Sequence, residues 1–227
     1  MINNTQRLDI ISKHTENGVN IPCYDGVIID EGVTIAPSTT ILPNTILTGS
    51  VSIGAGCVIG PGSYVSDSVI GDNTRLNNTQ VFSSQLGCGV TAGPYAHIRP
   101  GCIISDNVHI GNFVEIKNSE IDEGSKLPHL LYIGDSDVGR DVNFGCGCVT
   151  VNYNGRIKSR TTVKDGAFIG CNTNLVAPVT IGENAFTAAG STITEDVPDN
   201  ALGIARSRQY NKENWVNVKK PYKRQHK

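Results

Sequence analysis

The chain has 227 residues, of which 38% are hydrophobic and 18% are charged, and its net charge at pH 7 is −2. This near-neutral balance argues against a general nucleic-acid binder and against a membrane-surface binder. The sequence has no apolar stretch long enough to span a bilayer and no secretory signal at Met1–Ile10, so we expect a cytoplasmic protein of about one domain.

The first eighteen residues are polar, with Leu8, Ile10 and Ile11 interspersed among them. This pattern predicts a short amphipathic helix or arm. We therefore expect three parts: a linker-like helix or arm over residues 1–18, a repeat domain over residues 19–208 and a basic tail over residues 209–227.

A six-residue pattern repeats from about Val33 to Val197. In each repeat, an aliphatic residue is followed about four residues later by a small or β-branched residue. A period of six matches neither the 3.6-residue period of a helix nor the two-residue period of a strand. It is typical of a parallel β-helix, an all-β fold in which each hexad forms one short side and three hexads close a triangular coil. The clearest repeats contain the Ile-Gly pairs that begin at Ile53, Ile59, Ile70, Ile110, Ile133, Ile169 and Ile181.

Seven cysteines are present, without the paired C-x-x-C spacing of a zinc or redox motif. Cys57, Cys102 and Cys148 fall on the small, inward position of the hexad. We therefore expect these three to be reduced core residues, as suits a cytoplasmic protein.

The repeat is interrupted at residues 152–162, where the sequence Asn-Tyr-Asn-Gly breaks the pattern. We expect a projecting loop here that contains Arg156, Lys158 and Arg160, and a loop in a regular solenoid is a common position for function. The pattern ends near Val197. The basic tail beyond residue 209 contains Trp215, and it is open whether this tail is solvated, caps the last coil or docks on a neighbouring subunit.

The hexad register places charged and polar side chains in columns along one edge of the expected coil. Arg99 and Lys117 hold the same position one coil apart, about 4.8 Å in a sheet. Two stacked cations repel each other, so they suit a site for an anion such as a phosphate, although two solvated surface charges are the alternative. His97, Glu115 and Tyr132 share a second column beside them.

A further column contains His129 and, above it, only small residues. Such a groove, with a basic nitrogen at its lower end, is able to hold an extended chain such as pantetheine with its thioester beside His129. A lone histidine is more often structural, but the nearby cations and the break at residue 152 favour a functional role. The members of the column are Pro94, Asn112, His129, Cys146, Cys171 and Ala189.

Other classes of site have less support in the sequence. His97, His109 and His129 occupy different columns and no H-x3–5-H pair occurs, so we expect no metal site. The sequence has no G-x-S-x-G motif, P-loop or G-x-G-x-x-G opening, so it gives no support to a hydrolase or a nucleotide-binding loop.

Four stretches and one further lysine together resemble a known family. They are Tyr95–Gly101 (YAHIRPG), Gly111–Lys117 (GNFVEIK), His129–Asp135 (HLLYIGD), Asn152–Gly155 (NYNG) and Lys158. In this order they are similar to the acetyltransferase domain of the bacterial bifunctional glucosamine-1-phosphate acetyltransferases/N-acetylglucosamine-1-phosphate uridyltransferases, over about Val27 to Arg206. The resemblance implies a left-handed β-helix of hexapeptide repeats, although most parallel crossovers are right-handed. The family's uridyltransferase domain has no counterpart in the sequence, so we do not expect uridyl transfer from this chain.

The resemblance also implies an activity. It is direct acetyl transfer from acetyl-CoA, as co-substrate, to the amine of glucosamine-1-phosphate, a step in the biosynthesis of UDP-N-acetylglucosamine and of peptidoglycan precursors. It implies that the chain is a homotrimer with sites between subunits, and that no metal is required. His129 matches the general base and Glu115 the carboxylate near that base. The residues that match contacts to the sugar and its phosphate are Arg99, Lys117, Tyr132, Asn143, Asn152 and Lys158.

The residues that match the acetyl-CoA positions are Tyr153, Cys146, Cys171, Ala189 and Arg206. The chain departs from the family's usual residues at four places: Cys171 for Ser, Cys146 for Ala, Asn154 for Asp, and Pro128 before the histidine. A backbone N–H near Cys146 is the expected oxyanion donor.

Three alternatives stay open. The first is a covalent acyl-cysteine at Cys146 or Cys171, and the second is another amino sugar or nucleotide sugar as acceptor. The third is a non-catalytic subunit that partners a separate uridyltransferase chain.

Overall fold

The computed structural model describes residues 3–219. Within this span it contains two helices, α1 (Asn4–Glu16) and α2 (Trp215–Lys219), and twenty-seven short strands. In chain order β1–β14 are Ile28–Ile29, Thr34–Ile35, Thr40–Ile41, Ile46–Thr48, Ser52–Ile53, Val58–Ile59, Tyr64–Ser66, Val69–Ile70, Arg75–Leu76, Gln80–Phe82, Gln85–Leu86, Thr91–Ala92, His97–Ile98 and Ile103–Ile104. β15–β27 are His109–Lys117, Glu120–Ile121, Lys126–Gly134, Ser136–Val138, Asn143–Phe144, Val149–Val151, Thr161–Val163, Phe168–Ile169, Asn174–Val176, Val179–Ile181, Phe186–Thr187, Thr192–Ile193 and Leu202–Gly203.

The strands confirm the parallel β-helix that the hexads predict, and its coils are left-handed. Every ladder between these strands is parallel and joins a strand to its counterpart one coil away, as in the pairs Ile28↔Ile46 and Thr34↔Ser52. The inward residues are buried along the whole column of coils, from Ile29 to Ile193. Every third hexad of the repeat therefore lies on the same flat face of the β-helix.

The three flat faces carry different sets of strands. Face A contains β1, β4, β7, β10, β13, β20, β23 and β26, and face B contains β3, β6, β9, β12, β19, β22, β25 and β27. The nine-residue strands β15 and β17 bend round the corner between these faces and belong to both, which joins them into one eighteen-stranded sheet. Face C is a separate sheet of β2, β5, β8, β11, β14, β16, β18, β21 and β24.

Small polar residues at the inward corners link successive coils. Thr39 is fully buried; its Oγ1 donates to the carbonyl of Gly54 at 2.7 Å and accepts from the N–H of Cys57 at 3.0 Å. Such bonds satisfy backbone groups that the corner leaves outside the ladders. The predicted core cysteines Cys57, Cys102 and Cys148 are buried and unbonded to one another, so the prediction for them is confirmed.

Helix α1 packs on the first coil. A capping box between Asn3 and Gln6 starts the helix, and Ile10 and Ile11 are its buried residues. Arg7 donates from Nη1 to the carbonyls of Tyr24 and Val27, at 2.9 and 3.0 Å. The helix therefore covers the open N-terminal edge of the coil column.

The C-terminal segment beyond β27 is exposed as far as residue 219, and it includes α2 with Trp215. The last eight residues of the predicted basic tail lie outside the described residues. No helix within residues 3–219 is long and apolar enough to cross a membrane.

Candidate functional site

Face A carries the predicted column of polar side chains. Glu115 pairs in register with His97 on one side and with Tyr132 on the other. The same register puts Lys117 one coil beyond Arg99, because Ile98 pairs with Ile116. The predicted alignment of these residues is therefore confirmed.

The sequence suggested that Arg99 and Lys117 are two stacked cations without partners. In the structure, each of them has a carboxylate partner. Arg99 Nη1 contacts Glu115 Oε1 at 2.8 Å, and this hydrogen bond raises the pKa of the guanidinium. Lys117 Nζ lies 3.4 Å from the carboxylate oxygens of Asp135. Each cation thus has a carboxylate partner on the next coil. The nitrogens Nε and Nη2 of Arg99 make no hydrogen bond within the described residues, so donors remain there for an anion.

Asp135 is the centre of a buried polar network at the corner between faces A and C. Its side chain accepts from Asn118 Nδ2 at 2.6 Å and from the amide of Asn152, besides its contact with Lys117. Burial alone would raise the pKa of this carboxyl, but the two amide hydrogen bonds and the Lys117 charge together lower it. The network fixes both Lys117 and Asn152.

The role of Asp135 was missed by the sequence analysis, although the signal was present. Lys117 pairs with Gly134, so the residues that follow them, Asn118 and Asp135, are stacked at the corner one coil apart. Tyr132 pairs with Val149, which puts Asn152 on the next coil of the same column. If the hexad register of Lys117 is extended by one residue, it places the Asp135 carboxylate between the amides of Asn118 and Asn152.

Tyr132 lies flat on Gly134. A Cβ built at Gly134 would come within 2.5 Å of the phenol oxygen and 2.7 Å of its ring carbon Cζ. Only glycine leaves this space, so the pair holds the phenol against the face beside the Arg99 and Lys117 column.

His129 lies at the corner between faces A and B, and its ring is held by Asn112. The two residues pair directly in register, and His129 Nδ1 is 2.8 Å from Asn112 Oδ1. Within the described residues of one chain, Glu115 makes no hydrogen bond to this ring. Glu115 pairs in register with Tyr132, which follows His129 by three residues. The carboxylate of Glu115 accepts a hydrogen bond from Arg99.

Other polar residues stand beside His129 on face B. Burial lowers the pKa of His109, with smaller contributions from the charges of His129 and Lys126. Asn143 is on this face too, paired with Lys126 and Phe168. The chain therefore does not gather Asn143 with the Arg99 and Lys117 column; it places it on the other side of the His129 corner.

The column of small residues continues from His129 toward the C-terminal end. The pairs Lys126↔Asn143, Phe144↔Ile169 and Ile169↔Thr187 extend by register to align His129 with Cys146, Cys171 and Ala189. Three coils of about 4.8 Å make this column roughly 14 Å long. Arg206 follows at its far end, where its Cδ lies 3.9 Å from a Cβ built at Gly190. The stacked rings of Phe168 and Phe186 flank the column on face B.

The predicted loop is present between β20 and β21. A two-residue bridge joins Tyr153 and Lys158, and Asn154 Oδ1 accepts from the N–H groups of Arg156 and Ile157 at 3.0 Å. Both Tyr153 and Lys158 are exposed.

Arg160 does not project with the rest of the loop, contrary to the expectation. Its guanidinium is fastened to Asp137 and to the carbonyls of Asn118 and Ser136, the latter two at 3.1 and 3.0 Å. The bond to Asp137 raises the pKa of Arg160. This residue therefore anchors the C-terminal end of the loop to the two preceding coils.

The expected site is open in one chain. His129 and Cys171 are both exposed, and two grooves, of about 380 and 440 Å³, lie on face C. The loop with Lys158 is at the corner between faces A and C, whereas His129 is at the corner between faces A and B. Within residues 3–219, no group of three or more His, Cys, Asp or Glu side chains has the arrangement of a metal site.

The sequence matches the family model of the bacterial transferase hexapeptide, six repeats, over residues 32–67, 83–118 and 160–195. Curated relatives carry the description "Bifunctional protein GlmU". One from Caldanaerobacter subterraneus is 57% identical over 210 residues, which cover 92% of this chain and 46% of the relative. One from a Geobacillus species is 58% identical over 164 residues, or 72% of this chain and 36% of the relative. The chain thus spans less than half the length of these relatives.

Solved structures share the fold at low sequence identity. The UDP-N-acetylglucosamine acyltransferase of Arabidopsis aligns with a TM-score of 0.59 at 18% identity, over 83% of this chain and 66% of that chain. The UDP-N-acetylglucosamine acyltransferase from Campylobacter jejuni aligns with a TM-score of 0.50 at 19% identity, over 90% of this chain and 79% of that one. At this identity the likeness concerns the fold alone.

Proposed function

Because the chain belongs to the bacterial hexapeptide-repeat transferases and is homologous to part of the GlmU proteins, we propose that it is an acetyl-CoA-dependent N-acetyltransferase of glucosamine-1-phosphate. The observation that carries the proposal is the position of His129. It stands at one end of a corner column of small residues and next to the polar column of face A.

His129 acts as the general base in this proposal. An ammonium cannot attack a thioester, so a base must take a proton from the sugar amine, and histidine is the side chain that most often takes this role in enzymes. With Asn112 Oδ1 as the acceptor, Nδ1 carries the ring proton and Nε2 is left free to receive another. Asn112 rather than Glu115 orients the ring within the chain.

The phosphate of the sugar binds at Arg99 and Lys117. Arg99 retains two nitrogens without a partner in the described residues, and Lys117 is held in place by Asp135. Charge-assisted hydrogen bonds from such groups bind a phosphate monoester well. Tyr132, fixed on Gly134, and Asn152, fixed by Asp135, stand beside these cations as further contacts to the sugar.

The pantetheine chain of acetyl-CoA extends along Cys146, Cys171 and Ala189, and Arg206 meets the anionic end of the cofactor. The N–H of Cys146 makes no hydrogen bond within residues 3–219, so it is available to stabilise the oxyanion of the tetrahedral intermediate. Collapse of that intermediate expels CoA as thiol and leaves the amide on the sugar.

A second copy of the chain completes the site. Lys158, Tyr153 and Asn143 are expected substrate or cofactor contacts. The loop with Tyr153 and Lys158 lies at the corner between faces A and C, away from His129 at the corner between faces A and B, and Asn143 lies on face B, away from the Arg99 column. A trimer in which the loop of one copy reaches the His129 corner of the next would unite them. This arrangement is the one that the resemblance implies.

Acceptor profiling tests the proposed function. Purified protein is incubated with acetyl-CoA and glucosamine-1-phosphate, glucosamine or glucosamine-6-phosphate, and thiol release is followed. We expect release with glucosamine-1-phosphate only, since the cationic pair selects the anomeric phosphate. Equal rates of thiol release with glucosamine would refute the phosphate-binding role of Arg99 and Lys117. The absence of thiol release with all three sugars would refute the proposed class of acceptor.

A further inference from the structure

Two cysteines occupy adjacent coils of the proposed cofactor column. Extension of the register Phe144↔Ile169 aligns Cys146 with Cys171, and the N–H of Asn172 donates to the carbonyl of Cys146 at 2.8 Å. Neighbouring strands are about 4.8 Å apart, which is within the range of Cα separations that a disulfide spans. Both thiols are free; Cys171 is exposed and Cys146 is partly exposed.

The side chain of Cys171 leans back onto the coil of Cys146. Its Sγ lies only 2.9 Å from the place where a Cβ of Gly145 would be. Because Gly145 immediately precedes Cys146 and has no side chain, nothing from that residue separates the two cysteines. The absence of a side chain at Gly145 thus leaves space beside Cys146 into which the Cys171 thiol extends.

The other cysteines differ in ways that bear on reactivity. Cys57, Cys102 and Cys148 are buried, and burial raises the pKa of each thiol, to about 11 for Cys148. Thiols of this kind are poor nucleophiles at neutral pH. Cys88 is exposed, as is Cys171, but it lies at a corner of earlier coils, where its N–H donates to Asp106.

We infer that Cys146 and Cys171 form a thiol–disulfide exchange site for low-molecular-weight disulfides, above all for the disulfide form of the cofactor's own thiol. The inference rests on the proposed function, which delivers the sulfur of CoA to the His129 end of the column. Cys146 is one coil from His129, so it is the thiol nearest to that sulfur, and Cys171 is one coil farther.

The exchange proceeds in two balanced steps. The thiolate of Cys146 attacks one sulfur of CoA disulfide, which breaks the S–S bond, forms a mixed disulfide with one CoA and releases the other as thiolate. The thiolate of Cys171 then attacks the Cys146 sulfur, forms the Cys146–Cys171 disulfide and releases the second CoA. The protein loses two electrons and two protons, and CoA disulfide is reduced to two CoA thiols.

Either oxidised form blocks the column. The mixed disulfide fills it with a tethered CoA, and the internal disulfide puts two bonded sulfur atoms at the place where the pantetheine chain would lie. Acetyl-CoA binding is therefore lost on oxidation and returns when a reductant restores the dithiol.

The test uses the purified full chain, treated with CoA disulfide or with oxidised glutathione and then alkylated, digested and mapped by mass spectrometry. We expect the Cys146–Cys171 disulfide as the main product, formed about tenfold faster with CoA disulfide because the groove positions that reagent. In Cys171→Ser we expect the reaction to stop at Cys146 bearing one CoA. Cys88→Ser is the matched control, and its disulfide should form as in the wild type.

The outcomes separate this inference from the proposed function. Modification mainly at Cys23 or Cys88, or no disulfide between Cys146 and Cys171 with either reagent, would overturn the exchange site even if acetyl transfer is active. A Cys146–Cys171 disulfide that forms equally fast with both reagents would overturn the link to the cofactor groove and leave a general dithiol. Calorimetry of CoA binding before and after oxidation supplies a second readout, with binding expected only in the reduced protein.

Discussion

At the scale of single residues, two corner side chains set up the chemistry by holding others. Asn112 holds the ring of His129 at 2.8 Å, and Asp135 holds Lys117, Asn118 and Asn152. Neither residue is expected to react. Both fix a donor or a base in one orientation, which reduces the entropy lost when the reactants meet.

Replacement of His129 by Ala tests the base. We expect turnover with glucosamine-1-phosphate to fall by about 10²-fold or more, since a positioned general base contributes that much, while the KM for the sugar changes little. Steady-state kinetics gives both values. His14→Gln, in helix α1 and away from the corner, is the control and should be unaltered. Turnover near that of the wild type in His129→Ala would exclude the base assignment.

Replacement of Asp135 by Asn tests the buried network through pH. A carboxyl with a lowered pKa stabilises the fold above its ordinary pKa of about 4, and this contribution is lost as the pH falls through the lowered value. We expect the variant to be less stable at pH 7 by about 1–3 kcal/mol, because one charged acceptor is removed from three donors. The difference should be constant above about pH 5 and should shrink in acid.

Urea unfolding of both proteins between pH 3 and pH 8 measures this difference in the free energy of unfolding. Asparagine tolerates the φ of +49° at position 135, so the backbone is not strained by the change. The exposed Asp25→Asn is the control and should show no such pH dependence. A difference that is independent of pH would contradict the account of Asp135.

Residue positions were more predictable than residue partners. Hexad counting aligned Arg99 with Lys117, and His97 with Glu115, because a parallel coil fixes the register. The hydrogen-bond partners depend on the direction of each side chain, which hexad counting does not give. The carboxylate of Glu115 bonds to Arg99 on the neighbouring coil, and the ring of His129 bonds to Asn112.

At the scale of elements, the loop between β20 and β21 departs from the hexad and is held at both ends. Asn152 is fixed by Asp135 at its start, and Arg160 is fixed by Asp137, Asn118 and Ser136 at its end. Between these anchors, Lys158 is free to project. The loop is thus an insertion whose two ends are both fixed to the β-helix by hydrogen bonds.

Replacement of Arg160 by Met tests the anchor. We expect faster cleavage between residues 153 and 159 in limited proteolysis, because the change removes the hydrogen bonds that tie the loop to the two preceding coils. The KM for glucosamine-1-phosphate should rise severalfold with a smaller change in kcat, since Lys158 is then less well placed. Arg156→Met removes a loop cation without an anchoring role and is the control. Wild-type cleavage and kinetics in Arg160→Met would show that the anchor is not needed.

The elements themselves were largely predictable, with two exceptions. The interruption at residues 152–162 and the β-helix followed from the sequence, because the period of six excludes helix and simple alternation. The nine-residue strands β15 and β17 did not follow, since each continues its ladder round a corner through Phe113 or Leu130 at a positive φ. Such φ values are unusual for bulky residues and are not visible in a hydrophobic pattern.

At the scale of the whole molecule, one chain supplies all the parts of the proposed site but not in one place. The His129 corner is exposed, and the loop with Lys158 is at a different corner of the same prism. A closed ring of identical copies turns such a separation into shared sites, because each copy offers a corner to one neighbour and a loop to the other.

Mixed oligomers test this sharing. His129→Ala and Lys158→Ala are each expected to be inactive as pure proteins. If they are unfolded together and refolded, random mixing should restore about a quarter of the wild-type sites, because a site then takes its base from one variant and its loop from the other. Mixing without refolding is the control and should restore little. Mixed oligomers that form but stay inactive would show that each site lies within a single chain.

The most direct measurement is the fate of a labelled acetyl group. The protein is incubated with acetyl-CoA carrying ¹³C in the acetyl carbonyl and with glucosamine-1-phosphate, and the products are followed by NMR. The account predicts a single new amide carbonyl on the sugar nitrogen, formed as the thioester signal decays and absent in His129→Ala. Free acetate as the main product, or a persistent thioester on the protein at Cys146 or Cys171, would contradict direct transfer to the sugar amine.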